Sequence, residues 1–265
     1  MNEYKPAEEV SGLAAESEPR TYAEQTEVEF LGRRFQALDL SREISPEIPV
    51  YPGHAKIAFW THLSHEESKL RLGDSPFSYT IKGLVMCDHV STHVDAISHL
   101  NRERQDLTID RFPLEYCFTA GVWLDLSEAP PRTHISLDMV RRAMERAGLD
   151  RLPERGSLLY YTGVQRHWDD AMTFNTQYPG LDEEASRWIL DQGVVNVLTD
   201  AVSTDNPADP SYPNHRVHAE YLISHTEVVN NIERIPMHSG FWVVMLPLRL
   251  VGLSGSPARV VALWE

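Results

Sequence analysis

The chain has 265 residues, a net charge of −15 and 42% hydrophobic residues, enough for one large domain or two small ones around a sizeable core. The acidic balance argues against a phosphate-backbone partner, and two cysteines, Cys87 and Cys117, give no disulfide framework and fit a reducing, cytoplasmic compartment. No run approaches the roughly eighteen apolar residues of a membrane span, and the opening Met-Asn-Glu-Tyr-Lys lacks an apolar leader, so neither a transmembrane helix nor a secretory signal is expected.

Residues 1–28 carry seven Glu against one Lys and one Arg, with few large apolar side chains. They read as a solvated acidic arm, either loosely docked or reaching to a partner subunit, and leave 29–265 as one domain. The run 35–40 predicts a first strand, after which Pro46, Pro49, Pro52 and Gly53 break regular structure. Phe59-Trp60 follows. His62, His65 and Glu66 do not spell the His-Glu-x-x-His zinc motif and read as loop or surface. Residues 77–86 predict a strand that delivers the chain into the stretch 88–99. Further strands are expected over 120–126 and 158–162.

Ser136 is placed to cap a helix with Leu137, Val140, Met144 and Ala147 inward and Gly148 at its end. Asp182, Glu183 and Glu184 put negative charge at the start of another helix, where the dipole favours it; this helix buries Ala185, Trp188 and Ile189 and stops at Gly193. A strand is expected over 194–198, a helix carrying His218 over 216–224, and Val-rich strands over 241–246 and 259–264. No repeat, low-complexity tract or linker divides the chain. Strands outnumber helices and the two alternate only in the middle, which gives an α/β or α+β class in a single domain.

The chemistry concentrates in 88–99, Asp-His-Val-Ser-Thr-His-Val-Asp-Ala-Ile-Ser-His. His89, His93, Asp95 and His99 all have odd numbers, so an extended chain would project them to one side. A helix would set 89 with 93 and 95 with 99 on different faces. Val90, Thr92 and Val94 are β-branched and favour the strand, turning helical near Ser98. Imidazole with carboxylate is a ligand set for zinc or another first-row divalent metal. The alternative is a His-rich loop of ordinary hydrogen bonds. Cys87, two residues earlier, reads as a buried structural thiol.

The same stretch resembles the His-Gly-Thr-His-x-Asp-x-Pro-x-His signature of the cyclase family, which includes bacterial kynurenine formamidases and isatin hydrolases. Asp39-Leu40-Ser41, Pro49-Val50-Tyr51-Pro52-Gly53, Tyr161-Thr162-Gly163, Tyr178-Pro179-Gly180-Leu181 and Asp200-Ala201-Val202-Ser203-Thr204-Asp205 are similar to family landmarks in the expected order, as are Leu246-Pro247-Leu248 and 255–262. Val90-Ser91 stands where the family has a small Gly, and Ile97 where it has Pro. Neither departure touches a candidate ligand. The resemblance implies a swivelling β/β/α fold, a barrel-like mixed sheet with flanking helices.

It also implies roles. One divalent ion, Mn or Zn, would sit on His89, His93 and Asp95 with positions open for water and substrate. His99 is expected as the catalytic acid–base, with orientation of Asp95 as its alternative role. A second active-site histidine is expected twelve residues ahead of a Glu-Asn-Leu triplet. Asn230-Asn231-Ile232 aligned with that triplet selects His218; a shifted alignment selects His215 with Glu227. Asn230 in place of Glu implies a mononuclear site of the isatin hydrolase kind. Phe59, Trp60, Asn230 and Asn231 are expected at the substrate.

The function so implied is hydrolysis of a C–N bond in a small amide or lactam, by a homodimer or larger homo-oligomer without nucleic-acid or membrane partners. The alternatives are a lactone hydrolase, a polyketide-type cyclase or dehydratase, and a metal-stabilised binding protein without turnover. No Gly-x-Ser-x-Gly elbow or phosphate-binding loop supports other chemistry.

Overall fold

The structure, a computed structural model, describes residues 22–30, 32–73 and 75–265. Its first half holds strands β1 (Gln25–Phe30), β2 (Arg33–Asp39) and β3 (Ala58–Leu63), helix α1 (His65–Leu72), strands β4 (Ile81–Val85) and β5 (His93–Asp95), the one-turn helix α2 (Ile97–Leu100), and strands β6 (Phe118–Asp125) and β7 (His134–Ile135). Helix α3 (Leu137–Arg146), β8 (Ser157–Tyr161), α4 (Ala171–Thr176), β9 (Gly180–Leu181), α5 (Glu183–Asp191) and β10 (Asn196–Thr199) follow. The chain ends with α6 (Pro213–Tyr221), β11 (His225–Glu227), β12 (Ser239–Pro247) and β13 (Gly255–Trp264). Of the expected acidic arm, residues 1–21 lie outside the described residues, while Gln25–Phe30 pairs with β2 as an edge strand.

One sheet runs β1-β2-β13-β12-β6-β8-β10-β11-β5, and β13 pairs again with β5, closing seven of its strands into a barrel. The β6–β8–β10–β11 arc is parallel and the remaining pairs are antiparallel. This is the barrel-like mixed sheet with flanking helices that the resemblance implied. Alternation along the strands sorts the side chains into two cores. Val94, Trp123, Leu159, Tyr161, Leu198, Val243, Met245 and Val260 share the inner one. Val122, Leu124, Leu158, Tyr160 and Val197 face outward, where α3 contributes Val140 and α5 contributes Ala185 and Ile189.

The helix ends follow from local chemistry. Ser136 accepts from the Met139 N–H and Asp182 from the Ala185 N–H, satisfying donors that the first helical turn leaves open. Residues 58–85 depart from the sequence reading. His62, His65 and Glu66, read as loop or surface, are at the surface but on a strand and a helix rather than a loop, because Ser64 and Glu67 form a reciprocal capping box that starts α1 at His65. Strands β3 and β4 make a separate two-stranded ribbon.

Candidate metal centre

Two short strands carry the site. In β5, Val94 faces the inner core, so His93 and Asp95 face outward; in β11, Thr226 turns inward to Met245 Sδ while His225 and Glu227 share the outer face. The antiparallel register sets Glu227 against His93 and Thr226 against Val94, which puts His225 opposite Asp95. Two carboxylates and two imidazoles thus form a square on one face of the ladder, at cross-strand distances where side chains meet.

The other histidines arrive from off the ladder. The one-strand arrangement expected for 89–99 holds only for His93–Asp95. The backbone bends at Ser91, whose φ of 55° is left-handed, and returns His89 to the cluster. His99 comes back from α2, four residues after Asp95, with Nε2 3.7 Å from Asp95 Oδ2. His215 projects from the first turn of α6.

The rings of His93, His215 and His89 are each held by a second nitrogen. His93 Nδ1 donates to the Ser91 carbonyl at 2.8 Å, which leaves Nε2 3.2 Å from Asp95 Oδ1 and 3.6 Å from Glu227 Oε2. His215 Nδ1 makes a very short hydrogen bond to Asp205 Oδ2, and Asp205 also accepts the backbone N–H groups of Asn214 and His215. Burial would raise the Asp205 carboxyl, but these donors hold it below the usual carboxylate range. His89 lies 2.7 Å through Nδ1 from Asp95 Oδ1 and 2.9 Å through Nε2 from Ser254 Oγ. A Cβ at position 255 would come within 2.7 Å of the His89 ring, so Gly255 is required for this approach.

Asp95 is the centre of charge. It is 1% exposed, with ring nitrogens of His89, His93, His225 and His99 around its two oxygens. Burial alone would raise its pKa, but the imidazoles hold it well below the carboxylate range. Burial would likewise lower His93 and His225; their carboxylate neighbours raise both instead, His225 to about 10. His99 is lowered by burial and by the neighbouring imidazoles, with Asp95 opposing.

These residues fit a divalent ion. Asp95, His215, His225 and Glu227 offer atoms within 4.8 Å of one another, as do His89, Asp95 and His99. Imidazole nitrogen with carboxylate oxygen is the donor set of zinc and manganese sites, and two buried carboxylates facing each other call for a cation between them.

The cluster floors a cavity of about 210 Å³. Tyr51, Trp168, Phe174 and Tyr212 supply aromatic wall, and His54 joins the polar side. Several expected residues are elsewhere. Phe59 and Trp60 sit on the β3–β4 ribbon, 46% and 48% exposed, because Trp60 packs over Gly83 rather than into the barrel mouth. Asn231 is a buried structural residue whose side chain donates to the Asp39 carbonyl, and Asn230 donates its backbone N–H to Leu40. His218 lies behind the cluster, its Nδ1 3.3 Å from His225 Nδ1. Helix α6 begins at Pro213, so its first turn carries His215 at the cavity, while His218, about 4.5 Å further along the helix axis, packs behind His225. Of the two candidate histidines it is His215 that lines the cavity, and Glu227, twelve residues on, lines it too. The expectation of a single ion rested on Asn230 occupying that place, and it loses this support.

A closed mixed barrel with an imidazole–carboxylate cluster at the end of an aromatic cavity defines a metal-site protein of the cyclase kind. The Cyclase family model, described as "Putative cyclase", matches residues 38–206. The chain belongs to this family. It is 27% identical over 233 residues to a kynurenine formamidase of Salinibacter ruber, covering 84% of this chain and 95% of the relative. It is 26% identical over 223 residues to a kynurenine formamidase of Geobacillus thermodenitrificans, covering 84% and 94%. Among solved structures, isatin hydrolase A from Ralstonia solanacearum superposes with a TM-score of 0.75 at 23% identity, covering 87% of this chain and 92% of that one. That likeness is one of fold.

Proposed function

We propose that the protein is a metal-dependent hydrolase that opens the carbon–nitrogen bond of a small amide, with an aryl formamide or a fused lactam as the substrate class. The observation that carries this reading is the placement of the imidazole–carboxylate cluster at the floor of an aromatic-walled cavity rather than inside a closed shell. Structural metal sites are sealed by protein ligands, whereas catalytic ones keep a side open to substrate. The cavity of about 210 Å³ suits a molecule of one or two rings. The kynurenine formamidases it is similar to act on a C–N bond of that kind.

His89, His93, Asp95 and Glu227, with His215, are the residues that would hold the metal, and manganese or zinc suits their donor set. Bound there, a divalent ion supplies Lewis acidity toward a carbonyl and a lowered pKa for water. The chain's own residues do the rest. His99, lowered by burial, is unprotonated at neutral pH and can take a proton at Nε2, then return it to the departing nitrogen. Asp205 fixes the His215 ring so that Nε2 faces the cluster. Tyr51, Trp168, Phe174 and Tyr212 exclude water and hold a flat ring by its faces and edges.

A homodimer or larger assembly is the expected form. The exposed apolar side chains of the β3–β4 ribbon, Phe59 and Leu84 on one face and Trp60 and Val85 on the other, each about half exposed, support it. Among the described residues no helix is long and apolar enough to cross a membrane.

The test is hydrolysis of a panel of N-formyl arylamines, lactams and lactones by protein dialysed against a chelator and then reloaded with Mn or Zn. Metal-restored cleavage of an amide or lactam is expected. A protein that binds metal and cleaves nothing on the panel would belong to the binding-protein reading instead.

A further inference from the structure

His225 is a buried imidazole that the reaction above does not use. It is fully enclosed, with Nε2 3.1 Å from Asp95 Oδ2 and 3.3 Å from Glu227 Oε1. Despite these distances, Nε2 makes a well-formed hydrogen bond with neither oxygen, and it stands among the buried polar atoms without a partner. An N–H aimed at a carboxylate would satisfy the angular requirement of a hydrogen bond. A nitrogen directed between two carboxylate oxygens has the geometry of a lone pair that converges with them on a common point. Bonds of about 2.0–2.1 Å to a tetrahedral ion put neighbouring ligand atoms roughly 3.3–3.4 Å apart. The two separations at His225 lie close to that spacing.

The other side of the ring is consistent. His225 Nδ1 faces His218 Nδ1 at 3.3 Å. Only one proton fits between two such nitrogens, and with Nδ1–H of His225 donating to His218, Nε2 is the atom left for a cation; the pull of Asp95 and Glu227 that raises this ring is the same negative charge that such a cation would take over. Ligand histidines are commonly fixed in this way, by donation of the second ring nitrogen to a neighbouring group. His218 is fully buried and lies outside the cavity, so it has no access to substrate.

We infer that His225 is a metal ligand on the barrel side of the site, sharing an ion with Asp95 Oδ2 and Glu227 Oε1, and that His218 sets its tautomer. The inference rests on the metal-site reading above and extends it. An ion there meets protein ligands from the barrel wall, through β5 and β11, and from α6 through His215, leaving only its cavity side for substrate.

Zinc binding separates ligation from mere support. His225→Gln carries an amide that can still donate to the carboxylates, so it replaces a hydrogen-bonding role but is a poor substitute for an imidazole ligand. Zinc affinity of the whole protein, measured by competition with a chromophoric chelator, should fall by more than the roughly 10–100-fold loss seen when a supporting partner is removed. Affinity within about threefold of the wild type would overturn the inference. Because the variant could fail to fold, wild-type crystals grown with zinc provide the second measurement. An anomalous peak within bonding distance of His225 Nε2 is expected, and zinc bound at the cluster but more than about 3 Å from that atom would overturn the assignment. Wild-type protein that binds no zinc at all would defeat the metal-site reading itself, a result distinct from the failure of His225 alone.

Discussion

At the scale of single residues, the site is organised by Asp95, a buried carboxylate whose two oxygens serve imidazoles on both sides. Its neutral isostere in Asp95→Asn leaves those rings without a counter-charge. Metal content should drop from stoichiometric to background, while far-UV circular dichroism stays near wild type. His99 behaves differently, because it sits at the exposed side of the cluster. His99→Asn should retain metal and lose about two to four orders of magnitude in kcat, the scale of a missing general acid–base group. If that variant loses its metal, His99 is a ligand. Asp205→Asn removes the acceptor that orients His215, and a loss of about 10–100-fold in metal affinity is expected by chelator competition.

The sequence displays part of this plainly. His89, His93, Asp95 and His99 crowd into eleven positions, and the bend at Ser91 and the turn of α2, rather than one extended face, bring His89 and His99 back to the other two. His225 and Glu227 repeat the His-x-Asp pattern of His93 and Asp95 as His-x-Glu, a period-two signal on a short strand. What places that pair at the cluster is the β11–β5 register, a pairing across more than a hundred residues that no local pattern specifies. His215 is separable from His218 only through where α6 begins. Pro213 marks its first turn, as proline at that position commonly does, whereas a start at Arg216 leaves His215 outside the helix.

At the scale of elements, the strands and the capped helices follow from propensity and alternation, and their ends fall within a few residues of the sequence expectation. Helix α5 depends on Asp182, which accepts from the Ala185 N–H at 2.7 Å. Asp182→Ala should cost about 1 kcal/mol, lowering Tm by about 2–4 °C for a chain of this size, with activity unchanged. The β3–β4 ribbon was less legible. Its exposed aromatics look like core or substrate wall in sequence, because hydrophobicity records that a side chain needs cover without saying what provides it. If the ribbon joins subunits, Leu84→Asp should shift the protein to a smaller species in size-exclusion chromatography with light scattering. An unchanged mass would remove the ribbon from the interface.

At the scale of the whole molecule, closure of β13 on β5 joins the two ends of the chemistry. It brings Ser254 and Gly255 from the C-terminal strand against His89, and Asp88 accepts the Ser254 N–H, the Ser254 hydroxyl and the Gly255 N–H. The barrel thereby fixes imidazoles and carboxylates drawn from positions 89 to 227 on a rigid wall, and the inner core of Trp123, Leu159, Phe241 and Val260 backs that wall. Whether this wall carries a metal is read by elemental analysis of the protein purified without chelators, beside Glu227→Gln. At least one equivalent of Mn or Zn per chain is expected in the wild type, with a marked loss in the variant; a wild-type protein free of metal, and unable to take it up on incubation with Mn or Zn, would contradict a metal site here.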